Sequence, residues 1–227
     1  MNRKALLTIP IIAALVLVAC GESSKDEATK GAATSCSKVA AAVPKPNLQH
    51  LAAPTQRLPE GSVWNLEFKT NCGRFTIQVD AGTSPKTASS IVSLAKSGFY
   101  DGLSIQRLVP GFVIQGGDPA GDGTGGPGYR TVERPAASTR YLRGAVAMAK
   151  SGAEPAGTAG SQFFIVTADD SQLPPDYAVL GKVLAGLSTA DLISAQPIDQ
   201  SQTMGGGQDG PPADPIVIKS VKVTRAA

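Results

Sequence analysis

Between Val63 and Asp80 the sequence alternates apolar and polar residues twice around a short turn. "VWNLEFKT" (63–70) puts Trp64, Leu66 and Phe68 on one face and Asn65, Glu67 and Lys69 on the other. "RFTIQVD" (74–80) repeats the pattern with Phe75, Ile77 and Val79, and "NCG" between them ends in glycine. A period of two over both runs commits this region to a β-hairpin. The next stretch, "SPKTASSIVSLAKSG" (84–98), switches period. Ala88, Ile91, Val92 and Ala95 fall at helical spacing, Ser84 can cap, Pro85 suits the first turn and Gly98 suits the position past the end. A second, shorter helix is expected from Ser188, with Leu192 and Ile193 facing inward. Further strands are expected at 104–109, 112–116, 144–149, 162–167, 178–184 and 216–224. Many strands with few helices point to a closed or sandwiched antiparallel sheet. The chain of 227 residues is long enough for one domain with a full core or two small ones, and it holds no internal repeat.

The strand pattern begins only at Val63. Ahead of it, "MNRKALLTIPIIAALVLVAC" has a basic start and an apolar run, the form of a signal peptide over residues 1–19. Its exit, Leu17-Val18-Ala19-Cys20, resembles the lipobox of bacterial lipoproteins, in which the cysteine thiol receives the lipid. An ordinary cleaved signal or a retained anchor is the alternative. Acyl chains contribute about 0.8 kcal/mol per buried methylene, so a lipidated Cys20 would hold the protein at a membrane surface, on the extracytoplasmic face of the cell membrane. Residues 20–60, rich in Ala, Ser, Pro and Lys, read as a flexible tether, and residues 61–227 as the folded domain. With Cys20 lipidated, Cys36 and Cys72 remain, and a leftover pair in an exported protein suggests a disulfide. Whether the two approach each other is not readable from the sequence.

Several kinds of chemistry are excluded early. The one histidine, His50, lies in the Pro/Ala-rich stretch, so nucleophilic mechanisms that need a positioned imidazole are disfavoured. A histidine-based zinc site is disfavoured too, and three scattered cysteines make no metal cluster. Lys+Arg number 21 against 18 Asp+Glu, and losing Arg3 and Lys4 with the leader would reduce the net charge to about +1. No nucleic-acid-binding surface is implied.

The stretch "IQRLVPGFVIQGGDP" (105–119) has the look of an active-site segment without a nucleophile or general base. Together with "AGSQFFIVTA" and "YAVLGKVLAGL" it resembles the cyclophilins, the cyclosporin-class peptidyl-prolyl isomerases, over about Val63–Thr224. The resemblance implies a mainly β fold, a closed eight-stranded antiparallel barrel capped by two α-helices. It also implies a function that needs no cofactor and no metal. Rotation about a peptide bond faces a barrier of about 18–20 kcal/mol because the amide is conjugated. No bond breaks, so a donor aimed at the prolyl nitrogen of the twisted amide suffices, provided it stabilises that state more than the planar one. Arginine, charged across the working pH range and rigid at its tip, is suited to this.

By this resemblance Arg107 is the catalytic arginine, acting with Phe112 and Gln115. Phe112, Val113, Phe164 and Leu173 would line a proline pocket, and Gln115 would orient Arg107. Gln162, two residues before Phe164 on a strand, shares its face. Gly123, Ala149, Lys150, Ser151 and Tyr177 would border the substrate groove. The partners implied are proline-containing segments of exported polypeptides, engaged by a monomer. This chain departs from the common pattern at Gln106, where histidine is frequent, and at Val113, where methionine is. Lys150 stands for an asparagine and Tyr177 for a histidine. Gln172 stands where cyclosporin-sensitive members carry a tryptophan, so weak cyclosporin binding is expected.

Other readings are poorer. "GDGTGG" (121–126) fits a dinucleotide-binding pattern formally, but Pro127-Gly128 follows instead of a helix. Residues 199–215 read as a flexible surface loop. A lipid-anchored module that binds proline segments, or chaperones them, without turnover is the second functional class. A lipid-anchored solute-binding protein is the third, disfavoured by the short, strand-rich chain.

Overall fold

The hairpin forms where the alternation requires it. Strands β1 (Val63–Thr70) and β2 (Gly73–Asp80) pair antiparallel, with Trp64 opposite Val79, Leu66 opposite Ile77 and Phe68 opposite Phe75. The computed structural model describes Met1, residues 35–203 and residues 207–226. Residues 2–34, which hold the rest of the expected signal peptide, Cys20 and the first part of the expected tether, lie outside the described residues. Phe68 and Phe75 stack at 5.0 Å between ring centroids, and Phe163 packs on Phe68 at 5.2 Å. These rings are fully buried, and each such burial stabilises the fold by about 1.5–3 kcal/mol.

Helix α1 (Pro85–Lys96) follows, and buries Ala88, Ile91, Val92, Leu94 and Ala95. Ser84 occupies the capping position but its side chain makes no capping bond. The helix is capped from far along the chain instead. Glu133 accepts the backbone N–H groups of Lys86 and Thr87, both at 2.8 Å, and sets a negative charge at the positive end of the helix dipole. At the other end Gly98 takes φ +74°, the left-handed turn that glycine adopts most readily.

The remaining strands are β3 (Arg107–Val109), β4 (Val113–Gly116), β5 (Thr131–Val132), β6 (Ala145–Met148), β7 (Thr158–Ala159), β8 (Phe163–Val166), β9 (Val179–Ala185) and β10 (Ile218–Arg225). Helix α2 (Leu187–Ser194) buries Ile193 fully, while Leu192 is half-buried against the core. Eight strands form one antiparallel sheet in the order β10-β1-β2-β9-β6-β8-β4-β3, and β5 pairs separately with β7. The expectation of a closed barrel is corrected here. The sheet is an open half-barrel whose edges, β3 and β10, do not pair. Irregular backbone crosses the gap: Ile105 N–H donates to Ile216 O at 2.9 Å and Ile218 N–H to Leu103 O at 2.8 Å, around a lone bridge between Ser104 and Val217. Pro211, Pro212 and Pro215 cannot donate backbone N–H groups, which interrupts any ladder leading into β10. Register shifts at Lys69/Thr70, Thr76/Ile77 and Val146/Ala147 bend the sheet around the aromatic core.

The stretch 36–60, expected to be free tether, lies against the domain. Cys36 is disulfide-bonded to Cys72. Beyond it, Ser37 N–H donates to Asn71 O at 2.9 Å, Lys45 N–H to Pro119 O at 2.7 Å and Leu51 N–H to Pro127 O at 2.8 Å. The Lys45 ammonium caps Asp101 O. Leu48, Leu51 and Leu58 pack on the core. A Pro/Ala-rich composition shows no periodicity, yet it supplies enough apolar side chains to follow a surface once one end is stapled.

Candidate active site

The register of three strands assembles the site. Arg107 on β3 lies opposite Gln115 on β4, and Gln115 lies opposite Phe164 on β8. Directly paired residues project from the same face of a sheet. Arg107, Gln115 and Phe164 therefore form a row, joined by Ala147 of β6 opposite Phe164. Two residues along, Val113 pairs with Val109 and Val166 and extends the same face. The neighbouring residues Leu108, Ile114 and Ile165 turn inward to the main core. The outer face carries its own apolar cluster of Val113, Tyr141, Ala147, Phe164 and Val166, with Phe112, Ala149, Leu173 and Tyr177 packed around it.

Tight turns place the rest. Phe112 N–H donates to Val109 O at 2.9 Å, closing the β3–β4 turn through Gly111 at φ +69°. Gly117, at φ +88°, brings the chain so close to β8 that a Cβ there would stand 2.5 Å from Ser161 O. The buried Asp118 carboxylate accepts the N–H of Ala120 at 2.8 Å and of Gly123 at 2.5 Å, which holds the following loop against the site. In that loop, Asp122 is held below the usual carboxylate range by the hydroxyl and N–H of Thr124.

A chain of amides sits beneath the row. Gln162 Oε1 accepts from Gln115 Nε2 and Gln106 Nε2, both at 2.9 Å. Gln162 Nε2 donates to Gly123 O at 2.9 Å and Gly125 O at 2.8 Å. Gln115 Oε1 in turn accepts from Arg107 Nη1 at 3.0 Å. Gln162 thus fixes the amide orientation of Gln115, and Gln115 fixes Arg107. Replacing Gln162 by alanine would leave two side-chain donors and two carbonyls short of partners. The expected cost is about 2–3 kcal/mol of stability, read by denaturant unfolding, with a lower kcat from the loosened arginine.

The pocket in front of this row has a volume of about 830 Å³. Arg107, Phe112, Val113, Gln115, Gly123, Ala149, Lys150, Phe164, Leu173 and Tyr177 line it, ten of the twelve residues singled out from the sequence as catalytic or substrate-binding. The other two, Ser151 and Gln162, line an adjoining cavity of about 440 Å³, which shares Gln115, Gly123, Thr124, Ala149 and Lys150 with the first. The Lys150 ammonium is turned away from solvent: it pairs with Asp176 Oδ2 at 2.6 Å and donates to Glu154 O at 3.1 Å. Its side chain is 4% exposed, so the cation is committed to holding the 150–176 region together. Tyr177 meets Phe164 edge-to-face at 5.3 Å. It is held by Tyr141, whose hydroxyl donates to Tyr177 O at 2.6 Å and accepts from Tyr177 N–H at 3.0 Å. Burial pushes the Tyr141 phenol up, which keeps that donor in place. Gln172 is exposed, takes φ +55° and does not line the pocket.

Sequence reasoning missed one contributing segment. Asp209, in the stretch read as a surface loop, accepts Arg107 Nε and Nη2 on its two oxygens, each at 2.7 Å. Gln202, Gly210 and Pro211 of the same stretch also line the pocket. A "QDGPP" run between glycines and prolines carries no periodic signal, and 102 residues separate the ion-pair partners. Among the described residues there is no group of His, Cys, Asp and Glu side chains that could hold a metal, and no helix long and apolar enough to cross a membrane.

The chain is similar in sequence and fold to known proteins. Residues 65–223 match the family described as cyclophilin type peptidyl-prolyl cis-trans isomerase/CLD. The chain belongs to this family. It is 40% identical over 173 residues to a probable peptidyl-prolyl cis-trans isomerase B of Mycobacterium tuberculosis, covering 69% of this chain and 53% of that one. It thus spans about half the length of its mycobacterial relatives. A peptidyl-prolyl cis-trans isomerase of Helicobacter pylori is 40% identical over 137 residues, 59% of this chain and 82% of its own. A crystal structure of a cyclophilin type isomerase from Cryptosporidium parvum superposes with a TM-score of 0.64 at 30% identity, covering 73% of this chain and 99% of that one.

Proposed function

We propose that this chain is a peptidyl-prolyl cis-trans isomerase acting on X-Pro bonds of exported polypeptides, held at the extracytoplasmic face of a membrane by a lipid on Cys20. One observation carries the catalytic part: Arg107, fixed by Gln115, stands at the rim of a pocket walled by Phe112, Val113, Phe164 and Leu173. The apolar wall takes the proline ring, whose burial supplies binding energy without charge. As the amide twists, conjugation is lost and the prolyl nitrogen regains its lone pair. A guanidinium N–H can then donate to that nitrogen, a contact the planar ground state does not offer. Stabilisation present only in the twisted state lowers the barrier. The chemistry moves no proton permanently and calls for no cofactor.

Family membership, the names of the relatives and the site geometry support the isomerase reading. The lipobox-like Leu17–Cys20 sequence supports the anchor, and through it the exported clients. The test is a protease-coupled isomerisation assay on a short X-Pro peptide with the full-length chain. Acceleration over the uncatalysed rate, which corresponds to tens to hundreds of seconds at 25 °C, is the expected result. Binding of the peptide without acceleration would assign the protein to the binding-module class. Radiolabelled palmitate incorporated by wild type and lost in Cys20→Ala would support the anchor, and equal labelling of both would refute it.

The pocket rim also sets an inhibitor prediction. Gln172 supplies neither an indole N–H nor an aromatic face, and it stands outside the pocket lining. Cyclosporin is expected to bind with a dissociation constant above about 1 μM by titration calorimetry; submicromolar binding would contradict this.

A further inference from the structure

The guanidinium of arginine has five N–H donors in a fixed fork. In Arg107 three of them are committed: Nε and Nη2 to the two oxygens of Asp209, and Nη1 to Gln115 Oε1. One N–H remains on each of Nη1 and Nη2. The Asp209 carboxylate is delivered by backbone that is itself fixed. Leu108 N–H donates to Gly210 O at 2.8 Å and Gly210 N–H to Leu108 O at 3.2 Å, so the residue after Asp209 is bridged to the residue after Arg107. On the other side, Asp199 N–H donates to Pro211 O at 2.9 Å and Ala213 N–H to Pro197 O at 2.8 Å. The two side chains of the pair keep 40% and 38% exposure. The guanidinium is therefore gripped along one edge and still open along another.

We propose that Asp209 is a positioning residue for isomerisation, a role that rests on the isomerase reading above. It clamps the Nε–Nη2 edge of Arg107 while Gln115 clamps Nη1, and the two remaining N–H groups are held at the rim of the apolar pocket. An arginine held only by Gln115 would have to lose its rotamer freedom in the twisted state. One held on both sides has lost it beforehand, and preorganised donors act without reorganisation at the moment of reaction. Two-point bidentate pairing also fixes the plane of the fork, which a single hydrogen bond cannot do.

The experiment compares full-length wild type with Asp209→Ala, Asp209→Asn and Asp209→Glu on one X-Pro peptide. It measures kcat and KM separately, with thermal unfolding alongside. Asp209→Ala is expected to lower kcat about tenfold with KM nearly unchanged, since small misplacements of a catalytic group cost this much or more. Asp209→Asn, which keeps the shape but loses the second acceptor, falls between, and Asp209→Glu restores part of the rate. Melting temperatures stay close together, because a half-exposed ion pair contributes little to stability. An unchanged kcat in Asp209→Ala overturns the proposal. So does a raised kcat, which would mean that the carboxylate masks the arginine, or a change confined to KM. If the alanine variant does not fold, the isosteric asparagine variant is read by the same criteria. Absence of turnover in wild type defeats the isomerase reading and this role with it, whereas wild-type turnover that is insensitive to Asp209 defeats this role alone.

Discussion

Replacing Arg107 by alanine is expected to lower kcat/KM for an X-Pro peptide by about 10²–10³-fold, the usual loss when one preorganised donor to a transition state is removed. The loss should fall on kcat, because the pocket that holds the proline ring is built by other residues: Phe112, Val113, Phe164 and Leu173. Stability should change by less than about 1 kcal/mol, since the Arg107–Asp209 pair is well exposed to water on both sides. Arg107→Lys restores the charge but not the fork, and should recover little of the rate. A steady-state comparison with circular dichroism as the fold control decides this. A variant that keeps the wild-type kcat would remove the arginine from the mechanism.

The second large effect concerns the strap. The Cys36–Cys72 bond joins residues 36 apart in sequence. Closing a loop of that length stabilises by about 4 kcal/mol on the chain-entropy estimate. Cys36→Ser should therefore lower the melting temperature strongly and free the segment that carries Lys45, Leu48 and Leu51. Residues lining the main pocket all fall between Gln106 and Pro211, outside the strap. At a temperature where the variant is folded, its isomerisation rate should match wild type. Differential scanning calorimetry together with the rate assay tests both halves, and a rate that falls in step with stability would tie the strap to the site. Cysteine 72 is fully buried in the core, so the serine is placed at Cys36 to spare the packing.

Local features were legible and distant ones were not. The hairpin over Val63–Asp80 and helix α1 declare themselves by period, because each buries one face against a shared core. Arg107, Gln115 and Phe164 were legible through the family resemblance of their motifs, although β4 and β8 pair across a long stretch of sequence. Glu133 capping α1 could not be read, since the carboxylate arrives 46 and 47 residues after the N–H groups it satisfies. Strands β5 and β7, two residues each, are too short to show alternation. The open seam between β3 and β10 depends on where prolines remove donors along a segment that never becomes a ladder. Asp209 failed for the same reason as the strap: Gly- and Pro-rich composition describes local freedom, and says nothing of a backbone bridge from Gly210 to Leu108 on a strand far earlier in the chain.

Lys150 shows the limit of reading charge from sequence. A cation beside a substrate groove invites a role in binding, but its ammonium is absorbed by Asp176 and two backbone carbonyls. Tyr177 shows the converse. The family resemblance places it at the groove but does not say how it is held: the Tyr141 hydroxyl fixes its backbone and sets its ring against Phe164.

Exchange spectroscopy reads the rotation of an X-Pro bond, and the part Arg107 plays in it, without a coupled protease. A proline peptide at equilibrium is mixed with substoichiometric full-length protein, and cis–trans exchange cross-peaks are recorded by NMR for wild type and for Arg107→Ala. Strong exchange with wild type, an unchanged cis:trans ratio, and exchange near the uncatalysed level with the variant although the peptide still binds are the expected results. Peptide binding to wild type with no added exchange would contradict the isomerase reading.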